Sequence, residues 1–367
     1  MTPSAKRLYV TATRREDGKT AFVLGLMLAL KKRTGALGFI KPLGKRDVEQ
    51  RGFGLDEDSL LIEKVCGVHC SLKDMSPVTI DREFSEEFFK SNRPQDLMAT
   101  VREAFARISD GKDAVVIEGT GHACLGSVYG LSNATVAKEL GAKVLIISSG
   151  GVGQPIDEIA LNVSFFKQHG VEVIGAVVNK ARPHEVGPLK DFGRRALEGM
   201  GVRLLGVIPN DPLLESKTVL QVFEGIGAQL LTSGGDGKLS VRVGKTLVGA
   251  LTTHNAMDNF EDDCLLITGG DRTDLLVAAS VSKLVTREGR GLAGVIVTRG
   301  FRPPDNIMAL LEKAGVPVAL VRSNTYATAT RVDHLEAKIA ANDRKKHEVS
   351  MNLVEQNLDV GSLYDQL

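Results

Sequence analysis

Over its first 210 or so residues the chain alternates short β-branched runs with longer helical patterns, and no other feature narrows the possible folds as far. The runs at 8–11, 37–40, 114–118, 143–148, 172–179 and 204–208 are rich in Val, Ile and Leu, several of them throughout. A strand with one wet face alternates in polarity, whereas a continuous apolar run belongs to a strand covered on both sides, as in a parallel sheet. Segments 21–32, 85–108, 132–140, 156–169 and 189–200 carry helical spacing, and Gly35, Gly141 and Gly170 stand just past three of the ends. The expected fold class is α/β: a parallel sheet flanked by helices.

The alternation stops at IPNDPLLESKT, residues 208–218, where two prolines and an Asn-Asp pair make a turn-rich hinge. A chain of 367 residues exceeds one ordinary core, so a second domain is expected beyond that hinge. Its strands are expected at 240–243, 264–268, 294–298 and 318–321, its helices at 275–286 and 306–313, and GGDG at 234–237 reads as a tight turn. The expected division is 1–212 for the first domain, 213–325 for a smaller α/β domain, and 326–367 for a charged helical segment packing on the second domain.

Forty-six basic and 45 acidic residues give a net charge of +1, which offers no bulk attraction for nucleic acid or an anionic membrane. Cys66, Cys70, Cys124 and Cys264 are scattered as in a reduced chain, and although His69 lies between the first two, no second Cys/His cluster completes a zinc set. Lys6 and Arg7 lead directly into LYVTAT without the apolar region of a signal peptide, and the run 21–30 is too short to span a bilayer. A soluble, cytoplasmic protein is expected.

The stretch TATRREDGKT, residues 11–20, sits between the first strand and the first helix. Gly18, Lys19 and Thr20 end it like a phosphate-binding loop, but the common pattern would require glycine at Thr13. Context supports a nucleotide site over a plain turn. A helix N-terminus offers unpaired N–H groups, Lys19 adds a charge for the β/γ-phosphates, and the Thr20 hydroxyl suits Mg²⁺. The strand VVIE ends in Glu118 and is followed by the small-residue loop GTGH, which places a carboxylate at the carboxyl end of a parallel strand, where such sheets bind ligands. A carboxylate there calls for a cation.

In order along the chain, VTATRREDGKT, GFIKP (38–42), IEGTGH (117–122) and VVNK (177–180) resemble the motifs of the dethiobiotin-synthetase-like P-loop proteins, and most closely the subgroup forming the N-terminal part of long phosphotransacetylases. In that family the first glycine of the loop falls where Ala12 stands here, so the glycine absent at Thr13 belongs one residue earlier, where Ala12 remains a departure that requires negative φ. The resemblance implies a nucleotide set of Thr13, Gly18, Lys19, Thr20, Asn179 and Pro209, with ATP and Mg²⁺ as cofactors. It implies metal ligation by Thr20, Asp58 and Glu118, and catalytic roles for Lys19 and for Lys41, which matches a substrate-carbamate lysine. The acidic run at Asp56, Glu57 and Asp58 reads equally as a solvated helix start. Arg14, Arg15 and Lys45 depart from the synthetase pattern, either toward a more anionic ligand or as side chains that point outward, and Arg182 replaces the aspartate that guanine recognition requires.

ITGGDRTDLLVAA (267–279), IVTRGFRPP (296–304) and TYATATRV (325–332) resemble the DRTGG domain, which accompanies this module in phosphotransacetylases. Asp271, Arg272 and Asp274 read as a capped turn or a ligand site, and Thr325, Thr328, Thr330 and Arg331 as an anion pocket with Arg299 or as pins for the last segment. With no room after Leu367 for an acetyltransferase domain, acetyl transfer is not expected. The resemblance implies an ATP-Mg²⁺-binding module with a regulatory or assembly domain, forming a homo-oligomer. The alternatives are an ATP-dependent ligase with a carboxylate substrate and a non-catalytic partner of a metabolic enzyme.

Overall fold

In the computed structural model the six apolar runs of the first two hundred residues become one sheet: β1 (Lys6–Ala12), β2 (Leu37–Ile40), β3 (Ala114–Glu118), β4 (Lys143–Ser149), β5 (Val173–Ala181) and β6 (Leu204–Pro209). Their spatial order is β6-β5-β4-β1-β3-β2, every neighbouring pair parallel. The structure describes residues 5–46, 48–50, 53–91, 96–151, 153–261, 263–286 and 291–367. It divides into one unit of Met1–Leu214 with Ile339–Leu367 and another of Glu215–Lys338.

In the first unit β2 and β3 are buried along their whole length, as the unbroken apolar runs require. The helices α1 (Lys19–Lys31), α2 (Glu57–Cys66), α3 (Arg82–Lys90), α4 (Leu97–Ser109), α5 (Asn133–Glu139) and α6 (Gln154–Gln168) connect the strands. The single helix expected over 85–108 is two, α3 and α4. Asp96 caps the second by accepting from the Ala99 N–H, and residues 92–95 lie outside the described residues. Among the described residues no helix is long and apolar enough to cross a membrane.

The second unit holds β7 (Gln229–Thr232), β8 (Lys245–Val248), β9 (Cys264–Gly269), β10 (Gly294–Thr298) and β11 (Val318–Leu320) in the order β7-β11-β10-β9-β8. The pairs from β8 to β11 are parallel, and β7 joins β11 antiparallel. Around them stand α7 (Val219–Gly225), α8 (Thr273–Ser280), α9 (Asp305–Lys313) and α10 (Thr325–Asp333). Strand residues alternate between two cores: Leu266, Val295, Val297 and Val318 pack with α8 and α9, while Leu265, Ile267, Ile296 and Ala319 pack with α7 and α10. Two expectations are corrected here. Residues 240–243 contribute only Arg242–Val243, paired with Lys217–Thr218 apart from the main sheet, and the edge strand is β8. Residues 325–333 form α10 of the second unit.

The segment 326–367 does not pack on the second unit as a whole. From Ile339 onward it belongs to the first, as α11 (Arg344–Asn357) and α12 (Val360–Asp365). Val354, Leu358, Val360 and Leu363 are buried in the first unit's core, and Lys346, fully buried, donates to the Leu214 carbonyl at 3.1 Å. Sequence order favoured the adjacent domain, but the last two helices return to cover α1, which is apolar on nearly every side and needs that cover.

Candidate functional site

Where β1 gives way to α1, Gly18 takes the left-handed conformation, φ 77° and ψ 25°, and starts the helix. A Cβ at Gly18 would lie 2.5 Å from Asn179 Nδ2, so both conformation and space demand glycine. The Asn179 amide, at the end of β5, donates to the Asp17 carbonyl at 2.8 Å and ties the loop to the sheet. Thr13 is buried, its hydroxyl donating to Asp17 Oδ2 at 2.8 Å and lying 2.9 Å from the Ser148 hydroxyl. The Asp17 carboxylate also accepts from the Arg14 N–H at 2.7 Å and the Ser149 hydroxyl at 2.6 Å. These bonds fix the loop backbone in a closed turn.

Lys19, first residue of α1, points inward to 3.7 Å from Glu118 Oε1. Lys41, just past β2, lies 3.9 Å from the same oxygen, 2.8 Å from Asp56 Oδ1 and in an ion pair with Asp58. The Thr20 hydroxyl hydrogen-bonds Asp58. Two lysines and three carboxylates thus converge at the carboxyl ends of β1, β2 and β3. Glu118 is fully buried, yet neither of its oxygens has a hydrogen-bond donor among the described residues. A buried carboxylate with four idle lone-pair sites is costly, and a hard cation with oxygen preference would satisfy it. The orphaned oxygens of Glu118, with the Thr20 hydroxyl and Asp58 nearby, suit a hard cation, although among the described residues no three His, Cys, Asp or Glu side chains are arranged to hold a metal by themselves.

Charge states follow from this crowding. Burial first, then the Asp58 charge, pushes Glu118 up to about 8 despite the two lysines. Burial lowers Lys19 against the pull of Glu118. Burial opposes the Lys41 charge, but Asp58, Glu118 and Asp56 together hold its ammonium well above the usual lysine range. Burial likewise opposes ionisation of Asp58, and Lys41 overrides it, keeping that carboxyl low. Lys41 with Asp58 is an ion pair, whereas burial favours the protonated form of Glu118.

The unliganded protein is accordingly expected to lose stability between pH 4.5 and about 8, and Glu118→Gln to flatten that slope. Linkage fixes the sign: the folded chain retains the Glu118 proton to about pH 8 while the unfolded chain releases it near 4.5, so folding takes up a proton within that window. Urea unfolding of both proteins from pH 5 to 9 measures it, and parallel profiles would show that Glu118 ionises normally.

Of the residues singled out by sequence, Lys19, Thr20, Lys41, Asp58 and Glu118 stand together, and Thr13, Gly18 and Asn179 surround the loop. Pro209 closes β6 beside Ala181, on the edge strand, without a described bond to the loop. Sequence reading passed over Asp17 and Glu158 and left Asp56 as a neighbour. Asp56 caps α2 by accepting from the Asp58 N–H, and its other oxygen accepts from the Lys45 N–H at 2.9 Å. Glu158, on α6, accepts from Arg14 Nε at 2.8 Å, and its other oxygen lies 3.1 Å from the Thr13 hydroxyl. Arg14 is thereby neutralised and adds no free charge for a ligand. The cap at Asp56 was readable as an acid before a helix; the pairing with Glu158, 144 residues from Arg14, had no local signal.

Residues 6–218 match the AAA domain and residues 221–335 the DRTGG domain. The chain is similar to the phosphate acetyltransferase of Nitratidesulfovibrio vulgaris, 26% identical over 375 residues that cover 99% of the chain and 52% of that protein. It is similar to the phosphate acetyltransferase of Deinococcus radiodurans, 28% identical over 370 residues, 96% of the chain and 50% of that protein. The chain thus spans about half the length of these curated relatives. Among solved structures, a ParA family ATPase from Chlorobium tepidum aligns at 11% identity with a TM-score of 0.37, over 57% of the chain and 86% of that protein. The CBS and DRTGG domains of Clostridium perfringens pyrophosphatase align at 13% identity with a TM-score of 0.27, over 49% of the chain and 86% of that one. A parallel sheet with a glycine-lysine-threonine loop, joined to a separate mixed α/β unit, places this chain in the AAA domain family of P-loop proteins, coupled to a DRTGG domain as in the N-terminal region of phosphate acetyltransferases.

Proposed function

We propose that the first unit binds ATP with Mg²⁺, and that the DRTGG unit regulates or assembles it within a homo-oligomer. The observation that carries this reading is Glu118, buried with two unsatisfied oxygens 3.7 Å from the lysine that opens α1. The N–H groups at the start of α1 and the Lys19 ammonium receive the β- and γ-phosphates. Thr20, Asp58 and Glu118 would hold the magnesium ion, which when bound supplies charge neutralisation between the phosphates. Asn179 uses its amide N–H₂ on the loop and leaves its carbonyl oxygen to accept from an adenine amino group. Arg182 is exposed and caps the turn at Glu185, offering a guanine ring no carboxylate.

The ligase alternative assigns Lys41 to an acidic substrate. Asp56 and Asp58 already engage that lysine, an arrangement that favours a fixed counter-charge of the metal acids over a substrate grip.

Thermal unfolding of the full chain with ATP, ADP and GTP, each with and without Mg²⁺, tests the proposal. Stabilisation by a ligand that binds only the folded state grows as RT ln(1 + [L]/Kd), about 2.7 kcal/mol at a hundredfold excess over Kd. ATP-Mg²⁺ is expected to raise the midpoint more than ATP alone and more than GTP-Mg²⁺. No shift with any nucleotide would refute the reading.

A further inference from the structure

In the second unit the strands β10 and β11 are parallel neighbours whose exits diverge. The chain leaving β10 runs to α9 on one face of the sheet; the chain leaving β11 runs to α10 on the opposite face. Adjacent parallel strands with connections to opposite faces open a crevice at their carboxyl ends, the place where α/β sheets take ligands. Arg299 and Gly300 line one side, and Arg322 and Ser323 the other. The Arg299 N–H donates to the Ser323 carbonyl at 2.9 Å and the Gly300 N–H to the Val321 carbonyl at 2.9 Å, so the two loops are locked together. Arg322 Cγ lies 4.0 Å from where a Gly300 Cβ would stand, which sets its side chain over that glycine.

Charge at this crevice is unbalanced. Arg299 and Arg322 are exposed and have no acidic partner among the described residues, and Arg302 has only Asp305 at 3.8 Å. Arg272, in the turn after β9, is by contrast occupied: it pairs with Asp274 and donates to the Gly249 and Leu251 carbonyls. Asp271 is the nearby acid, and its carboxylate folds back over its own turn at Gly269. Arg331, which the sequence reading grouped with Arg299, stands in the last turn of α10. Arg299 further holds φ at 66°, a conformation unfavourable for a residue with a Cβ and concentrated at functional sites. The next turn along is fitted against this loop, because a Cβ at Gly270 would lie 1.7 Å from the Phe301 carbonyl oxygen.

We propose that the crevice between the carboxyl ends of β10 and β11 binds a phosphate-bearing small anion through the guanidinium groups of Arg299 and Arg322. Planar guanidinium forks match phosphate oxygens in pairs, and two of them held on locked loops favour a di- or triphosphate over a monoanion. Inorganic pyrophosphate and the polyphosphate of a nucleotide share that chemistry.

The test is calorimetric titration of the full chain carrying Lys19→Ala, which removes the first unit's phosphate lysine, with pyrophosphate in one arm and ATP in the other at matched ionic strength. Binding is expected to persist in that background. Arg322→Gln, an exposed change, is expected to weaken it about 10-fold or more, as losing a charge-assisted hydrogen bond does. Arg299→Gly removes the other guanidinium while relaxing the left-handed backbone, and is expected to weaken binding equally without lowering the unfolding temperature. Comparable affinity for both probes identifies the phosphates as the recognised group; binding of ATP alone identifies a nucleotide. Absence of heat with both probes, or affinities unchanged in Arg322→Gln and Arg299→Gly, overturns the proposal.

Discussion

Lys19→Ala is expected to abolish the thermal shift produced by ATP-Mg²⁺ while leaving the unliganded protein folded. A hundredfold excess of ligand over Kd stabilises the parent by about 2.7 kcal/mol. For a unit of this size each kcal/mol raises the midpoint by roughly 2 to 4 °C, so the parent shift is about 5 to 10 °C. The variant loses the loop's buried cation, and neither Arg14, neutralised by Glu158, nor Lys41, held by Asp56 and Asp58, is free to replace it. Removing a buried cation ordinarily strands its partner. Here the partner is Glu118, which burial has already pushed up to about 8, so at neutral pH it retains its proton and the fold is spared an isolated charge. The measurement is thermal unfolding of both proteins with and without ATP-Mg²⁺. An unchanged shift would move the phosphate site away from α1; a variant that fails to fold would show that Lys19 and Glu118 form a structural ion pair instead.

The same residues show how far sequence reaches. The sheet was legible because unbroken apolar runs such as AVVI and VLII have one economical use, a strand covered on both faces. The places of Lys19, Thr20 and Glu118 in the fold were legible because a loop between strand and helix, and an acid ending a strand, are local patterns whose geometry is fixed by the fold. What could not be read was long-range polar pairing. Nothing near Arg14 announces Glu158, and nothing near Lys41 decides between Asp56 and Asp58 or discloses that it engages both. Charged side chains carry no periodic signal, and their partners depend on where distant elements come to rest. The division of 85–108 into two helices was missed for a related reason. A strongly amphipathic pattern continues through α3, although none of its residues is buried, so apolar spacing alone does not mark where one helix stops.

Removing residues 339–367 is expected to cost the first unit its cooperative fold, so that a 1–214 fragment is molten even though it contains the entire sheet. Val354, Leu358, Val360 and Leu363 are buried in that unit's core. At about 1.5 to 3 kcal/mol for each buried side chain, the four represent roughly 6 to 12 kcal/mol of gross burial. That is comparable to the roughly 5 to 15 kcal/mol by which whole proteins are stable. Polar ties are lost with them: Lys6 to the Tyr364 carbonyl at 2.8 Å, Lys143 to the Gln366 carbonyl at 2.7 Å and Arg203 to the Gln366 side chain at 2.7 Å. The fit is closest at Gly25, in the middle of α1, where a Cβ would lie 2.2 Å from the Ser350 carbonyl oxygen of α11. Alanine in place of a helical glycine is intrinsically favourable by about 0.8 to 1 kcal/mol, so a destabilised Gly25→Ala would mean that the lost helix contact outweighs that gain. Gly35→Ala, whose Cβ meets nothing closer than 4.0 Å, is the control and is expected to be neutral. Near-ultraviolet circular dichroism and dye binding distinguish a molten fragment from a packed one. A chain of 1–214 joined to 339–367 by a short flexible linker should regain the sharp transition, since the fully buried Lys346 then still reaches the Leu214 carbonyl. If 1–214 alone melts as sharply and as late as the full chain, the two terminal helices are an accessory to the first unit and not part of its core.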